Sequence, residues 1–325
     1  MRRRRRFQAN KLYELCLRAR KGLPFPCWST MSLILDSALA RTQRDHKVRV
    51  SHYLWMGNHL HMIFVAQDAN QCAKFYMELK KKITESIKAL LGLDQLNLWE
   101  PNHMVAQILD SDFAIERIAY FYLNPARANL TADIQSYPGL SSWAEFSRQE
   151  AATSRKVPYI RYRNLPRVPN LKMTERQDRA FCLRLLSKVR VFHELKLELD
   201  AWMDCFDLEQ SAAELNSQIM EKVMEGQAKL ELQRKLDGKR VIGPGYLKKF
   251  GIDLVHLPKK IGRRLFVLAS KAELRVAYIR LMNYLDDRCC DLYERACRGE
   301  SGLRWPPGMF RPPIPALASA VGDWY

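Results

Sequence analysis

The chain reads as an α+β protein: a ferredoxin-like antiparallel sheet with helices, followed by a mainly helical C-terminal region. Three observations predict this. Strand and helix signals through residues 12 to 124 run strand, helix, strand, strand, helix, strand, helix. Two strand-like runs meet at Gly57-Asn58, a pair suited to a two-residue hairpin turn. Beyond residue 174 the apolar spacing is chiefly helical.

Taken in order, "LYELCLRAR" is the first strand, and "STMSLILDSALARTQRD" a helix with Ser29 or Thr30 expected at its cap. "HKVRVSHYLWMGN" is a strand rich in Val, Tyr and Trp, and the return strand starts at His59. Side chains two apart on a strand share a face, so His59 and His61 stand together while Leu60, Met62 and Phe64 face the other way. A long helix follows, its apolar face built from Phe75, Leu79, Ile83, Ile87 and Leu90, its end at Gly92, and Lys80 to Lys82 on a solvated face. "HMVAQIL" gives a short strand, and a helix runs from about Ser111 to Asn124, ending near Pro125.

These signals divide the chain into residues 1–149, a basic Pro-rich linker at 150–173, and a mainly helical region at 174–325. The linker interleaves Tyr159 and Tyr162 with Arg161 and Arg163, which suits either a plain connector or a strap that stacks bases. The third region carries basic clusters at Lys248-Lys249, Lys259-Lys260 and Arg263-Arg264, and suits hairpin recognition, dimerisation or a stabilising cap.

With 47% hydrophobic and 27% charged residues over 325 positions, the chain can bury a real core and is not a disordered one. A formal charge of +18 favours a polyanionic partner, nucleic acid before an acidic membrane surface, and Arg2, Arg3, Arg4, Arg5 and Arg6 sharpen this toward phosphate. No apolar run has the length of a membrane helix, and no apolar signal core follows the arginines, so the expected location is cytoplasmic, with the bacterial nucleoid. Eight scattered cysteines without a Cys-x-x-Cys pair indicate reduced thiols rather than a disulfide or zinc framework.

A reactive constellation emerges when the histidine pair is set beside "DFAIERIAYFYLNPARANL". Tyr120 and Asn124 lie about 40° apart on one helical face, whereas Tyr122 is rotated roughly 200° from Tyr120. Placed over the histidines, that helix would offer Asn124 as an oxygen ligand and Tyr120 as an oxygen nucleophile beside one divalent ion. Glu116, one turn before Tyr120, is a possible assistant in metal binding or proton transfer. A tyrosine hydroxyl is a poor nucleophile at neutral pH unless a cation stabilises its anion or polarises its target, and a phosphodiester suits it.

"GNHLHMIF", "FYMELKKKITESIKALLG", "LWEPNHMV", "AYFYLNPARANL" and "SYPGLSSWAEF" occur in the order and spacing seen in single-tyrosine transposases of the HUH endonuclease superfamily. Over roughly residues 10 to 147 the chain most resembles the REP-associated tyrosine transposases. The resemblance implies a nuclease domain that binds a divalent metal, Mg²⁺ or Mn²⁺, through His59 and His61. It implies cleavage and rejoining of single-stranded DNA near hairpins, with Tyr120 linked to the 5′ phosphate and a 3′ hydroxyl released. Asn124 matches the polar residue one turn later. Gly57 stands where that family usually has proline. The alternatives are a domesticated protein that binds hairpins without cutting, and a rolling-circle type initiator; the expected assembly is a monomer or a homodimer.

Overall fold

A computed structural model describes residues 6–22, 24–101, 103–254, 266–309 and 311–313. Strand β1 (Lys11–Arg18) leads to helix α1 (Ser29–Asp45), the hairpin β2 (Val48–Met56) and β3 (His59–Ala66), helix α2 (Ala69–Leu91), β4 (Met104–Ile108) and α3 (Ser111–Arg127). The strands lie in the order β2-β3-β1-β4, with antiparallel pairing of β3 to both β2 and β1 and of β1 to β4. This is the predicted ferredoxin-like sheet. Gly57 and Asn58 form its two-residue turn, with Met56 opposite His59.

One face of the sheet presents Tyr13, Leu15, Leu17, Leu60, Met62 and Phe64 to α1 and α2. The five predicted apolar positions of α2 are all fully buried there, and Gly92 ends the helix in the left-handed region at φ 64°. The other face carries Leu12, Ile63, Val65, Ala106 and Ile108 against α3. A bulge between Val50 and His52 inverts the alternation of β2, so Val50, Tyr53 and Trp55 face α1 and α2 while Leu54 and Met56 face α3.

Three expectations need correction. Neither Ser29 nor Thr30 caps α1. Trp28 holds the cap position without a side-chain bond, and the buried Asp178 accepts from the backbone N–H groups of Ser29 at 2.7 Å and Thr30 at 3.0 Å. Helix α3 continues through Pro125 to Arg127, since a proline in the final turn removes only one late hydrogen bond. The segment 150–173 is not all connector: β5 (Ala152–Pro158) pairs along its whole length with β6 (Phe192–Glu198). Strand β6 forms within the mainly helical C-terminal region because "FHELKLE" alternates buried His193, Leu195 and Leu197 with outward neighbours.

The rest of the C-terminal region is mainly helical, with α4 (Trp143–Ser147) before it and α5 (Glu175–Leu186), α6 (Ala212–Leu236), α7 (Pro244–Leu247) and α8 (Ala272–Cys297) within it. Strand β6 lies parallel to β2, and β7 (Val267–Leu268) parallel to β4, giving a seven-stranded sheet in the order β5-β6-β2-β3-β1-β4-β7. Leu215, Ile219 and Val223 of α6 join α3 on the second face. All eight cysteines are free thiols. No helix among the described residues is long and apolar enough to cross a membrane.

Two predictions arise here. Asp178→Ala removes the acceptor for two α1 donors and should cost about 1–2 kcal/mol, read as a lower denaturant midpoint at unchanged slope. His52 is fully buried, with its Nδ1 2.7 Å from the Tyr122 hydroxyl, and burial pushes its imidazole down to about 3. Between the ordinary value near 6.5 and that depressed one, the unfolded chain binds a proton that the folded chain refuses. Stability contributed by the neutral ring is therefore full above pH 6.5 and falls as pH drops toward 3, by roughly 5 kcal/mol at the acid end. Melting curves from pH 7 to 4 should show a steeper acid loss for the wild type than for His52→Asn.

Candidate functional site

The second face of the sheet becomes polar at one end. On β1 the period of two that turns Leu12 toward α3 also turns Glu14, Cys16 and Arg18 that way. Cys16 pairs with His61 and Arg18 with His59 across the ladder. The two histidine rings stand edge to face with centroids 4.8 Å apart, and the half-buried His59 holds Asn58 Oδ1 at 2.6 Å through its Nδ1. Helix α3 brings Tyr120 to within 6.4 Å of the His61 ring and Phe121 to within 4.9 Å, centroid to centroid. Residues about sixty positions apart in sequence thus come close in space.

Beneath them lies a buried ionic network. Glu14 has no solvent exposure; its Oε1 is 3.2 Å from His61 Nδ1 and accepts from Arg117 Nη2 at 2.6 Å, while Arg117 Nε donates to Oε2 at 2.5 Å. Burial alone would raise the Glu14 carboxyl, but hydrogen bonds from His61 and Arg117 and their charges hold it below the ordinary carboxylate range. Burial alone would lower His61, yet Cys16 and Glu14 against the ring push it up to about 9. The carboxylate fixes the ring through one nitrogen, the arrangement by which an outer residue orients a histidine ligand. Arg117 also lies over the Tyr120 ring at 4.4 Å, and Arg127 over it at 5.0 Å.

The two tyrosines of α3 differ as their helical phase requires. Tyr120 is half-exposed. Tyr122 is fully buried, its hydroxyl between His52 Nδ1 at 2.7 Å and Ser142 Oγ at 3.0 Å, and burial raises it far above the ordinary tyrosine range. Asn124, one turn after Tyr120, is 9% exposed, and its buried Nδ2 has no hydrogen-bond partner. Glu116 points into solvent on α3 and makes none of the ion pairs found among the described residues.

The C-terminal region braces this helix. Arg234 of α6, 8% exposed, donates to the carbonyl oxygens of Ala126 at 3.1 Å and Ala132 at 3.4 Å, covering the end of α3. Gly226 permits close approach, since a Cβ there would lie 2.5 Å from Leu123 Cδ1. The backbone N–H groups of Ile242 and Gly243 continue the brace onto the carbonyls of Asn129 and Leu130.

Arg2, Arg3, Arg4 and Arg5 lie outside the described residues, as do Lys259, Lys260, Arg263 and Arg264. Arg6 is tied down by a bridge to Met309, and Phe7 donates to the Gly308 carbonyl. Arg161 and Arg163 are exposed, and the rings they lie over are not those of the His59–His61 pair. Arg161 lies 5.6 Å over Tyr159, a ring that also meets Arg41 at 4.9 Å and His193 at 4.7 Å, and Arg163 lies 5.9 Å over Tyr162, which packs on the α1/α2 core. Both tyrosines of the strap are therefore already in contact with protein.

Glu14, Cys16, Arg18 and Arg117 belong to the site and did not stand out in sequence. The available signal was a glutamate and an arginine in phase with Leu12 on an otherwise apolar strand. Among the described residues no group of three or more His, Cys, Asp and Glu side chains has the arrangement of a metal centre.

No protein-family model matches the chain, and no curated protein matches it. Among solved structures it is similar to a REP-associated tyrosine transposase bound to a REP hairpin, with 18% identity over 46% of this chain and 86% of that one, at a TM-score of 0.40.

Proposed function

We propose that the chain is a metal-dependent strand transferase of the REP-associated tyrosine transposase type, cutting and rejoining single-stranded DNA near hairpins. The observation that carries this reading is the meeting of Tyr120 with the His59–His61 pair while Tyr122 is locked away in the core. The motifs quoted above supply the family, and the charge of +18 suits the polyanion.

A divalent ion fits the donor set. Two adjacent imidazoles stand at the sheet end, and one turn after Tyr120 the orphan amide nitrogen of Asn124 marks a buried place with an unmet polar demand. A half-turn of that amide would present its oxygen there instead, a suitable donor to Mg²⁺ or Mn²⁺. His59, His61 and Asn124 would hold the ion, leaving positions for phosphate oxygens; His61 must shed its proton to do so, as any imidazole ligand must. Bound, the ion supplies charge stabilisation at the phosphate. Tyr120 forms an oxygen–phosphorus bond as the bond from phosphorus to the 3′ oxygen breaks. The tyrosine proton passes to water, and the departing oxygen leaves as a hydroxyl. Arg117 and Arg127, over the ring, place two positive charges beside the position a phosphate would take.

The test is to incubate the full chain with labelled single-stranded DNA and Mn²⁺ or Mg²⁺, denature, and look for label that migrates with protein. An adduct that depends on the ion is expected. DNA binding without an adduct under any ion would replace this reading with the non-cleaving hairpin binder.

A further inference from the structure

Beside His59 the structure holds a cavity of about 480 Å³, inside the roughly 300–1,000 Å³ range of small-ligand pockets. Its walls come from distant parts of the chain: Arg18 and Asn58 from the sheet end, Phe25 and Tyr137 from two loops, and Phe250 and Leu254 from the segment after α7. We propose that this cavity receives one unpaired nucleobase of the bound strand, next to the phosphate at His59, and that the C-terminal region completes it. The proposal rests on the strand-transferase reading for its neighbour, but not for its own chemistry.

Three features point to a base rather than another ligand. The lining carries three aromatic rings, with Phe25 and Tyr137 buried and Phe250 half-buried, which suits a flat ring taken out of its stack. The polar groups are few and sit at the histidine end. Asn58 Oδ1 is already engaged by His59, which leaves the amide N–H groups as donors, and Arg18 makes none of the ion pairs found among the described residues. Such donors suit the ring nitrogens and carbonyls of a base, or the phosphate that follows it. The Tyr137 hydroxyl is spent on the Trp55 carbonyl at 3.0 Å, so this ring serves as a wall. Cys27, also in the lining, is a neutral thiol, since burial pushes it up to about 11. Among the described residues no carboxylate, which would repel a nucleotide, lines the cavity.

The test uses the metal-free full chain, so that binding is read without cleavage. Random single-stranded 20-mers carrying 5-iododeoxyuridine are photocrosslinked to the protein and the modified peptides are mapped. Fluorescence anisotropy then gives the affinity of Phe250→Ala, Phe250→Tyr and Leu254→Trp for the same DNA. Crosslinks at Phe25, Tyr137 or Phe250 are expected. Phe250→Ala should weaken binding about tenfold at an unchanged salt slope, because a stack is lost and not a phosphate contact, and Phe250→Tyr should restore it. Leu254 is 38% exposed, so its replacement by Trp can fill the cavity without disturbing the core, and it should weaken binding similarly. Crosslinks confined to other surfaces, or unchanged affinity in both Phe250→Ala and Leu254→Trp, would overturn the proposal. A missing covalent adduct with cavity crosslinks intact would remove the strand-transfer reading alone.

Discussion

Tyr120→Phe is expected to abolish the covalent DNA adduct, a loss of at least about 10³-fold, while the protein still binds DNA and melts where the wild type does. Only the hydroxyl is removed. The ring keeps its place beside His61 and under the guanidinium groups of Arg117 and Arg127, so the loss cannot be assigned to packing. Tyr122→Phe should behave in the opposite way. It strips a buried hydroxyl from between His52 and Ser142 and should cost about 1–3 kcal/mol of stability, with adduct formation retained. Adduct gels and melting curves on the two variants give a crossed pattern. An active Tyr120→Phe with a dead Tyr122→Phe would mean that the nucleophile has been assigned to the wrong face of α3.

The second large effect belongs to stability. Arg117→Met leaves Glu14, which has no solvent exposure, with His61 as its remaining charged partner, and should lower stability by about 3–5 kcal/mol. Glu14→Gln combined with Arg117→Met should recover part of that loss, because the uncompensated buried charge is then gone. Chemical denaturation of the wild type, the single variant and the double variant measures this. A single variant within about 0.5 kcal/mol of the wild type would show that water reaches Glu14 and that the network does not hold the His61 side of the site.

The sequence made the first half of the fold legible because its signals are local. Gly57-Asn58 fixes a turn, Gly92 a helix end, and the parity of His59 and His61 a shared face. Tyr120 and Asn124 were legible for the same reason, since helical phase is set by spacing alone. What escaped depends on partners remote in sequence. Asp178 caps α1 from well over a hundred residues away, and no pattern near Ser29 announces it. The bulge at Ser51 turns His52 toward Tyr122, although simple alternation would place it with Val50. Of strands β5 and β6, one lies among prolines and the other between helices, so neighbouring signals outweighed their alternation. Glu14 reads as an ordinary charged residue until Arg117 is brought over it.

The seven-stranded order carries a consequence for synthesis. Strand β2 leaves the ribosome early, but β6, which covers its outer edge, follows more than a hundred residues later, and β7, which covers β4, later still. At roughly 5–20 residues per second, the nascent sheet spends several seconds to tens of seconds with both flanks unpaired. An open flank of this kind invites pairing with another chain. Pauses in translation between β2 and β6 should therefore raise the share of aggregated product, and a chaperone that shields strand edges should matter more to yield here than for a protein that closes its sheet as it emerges.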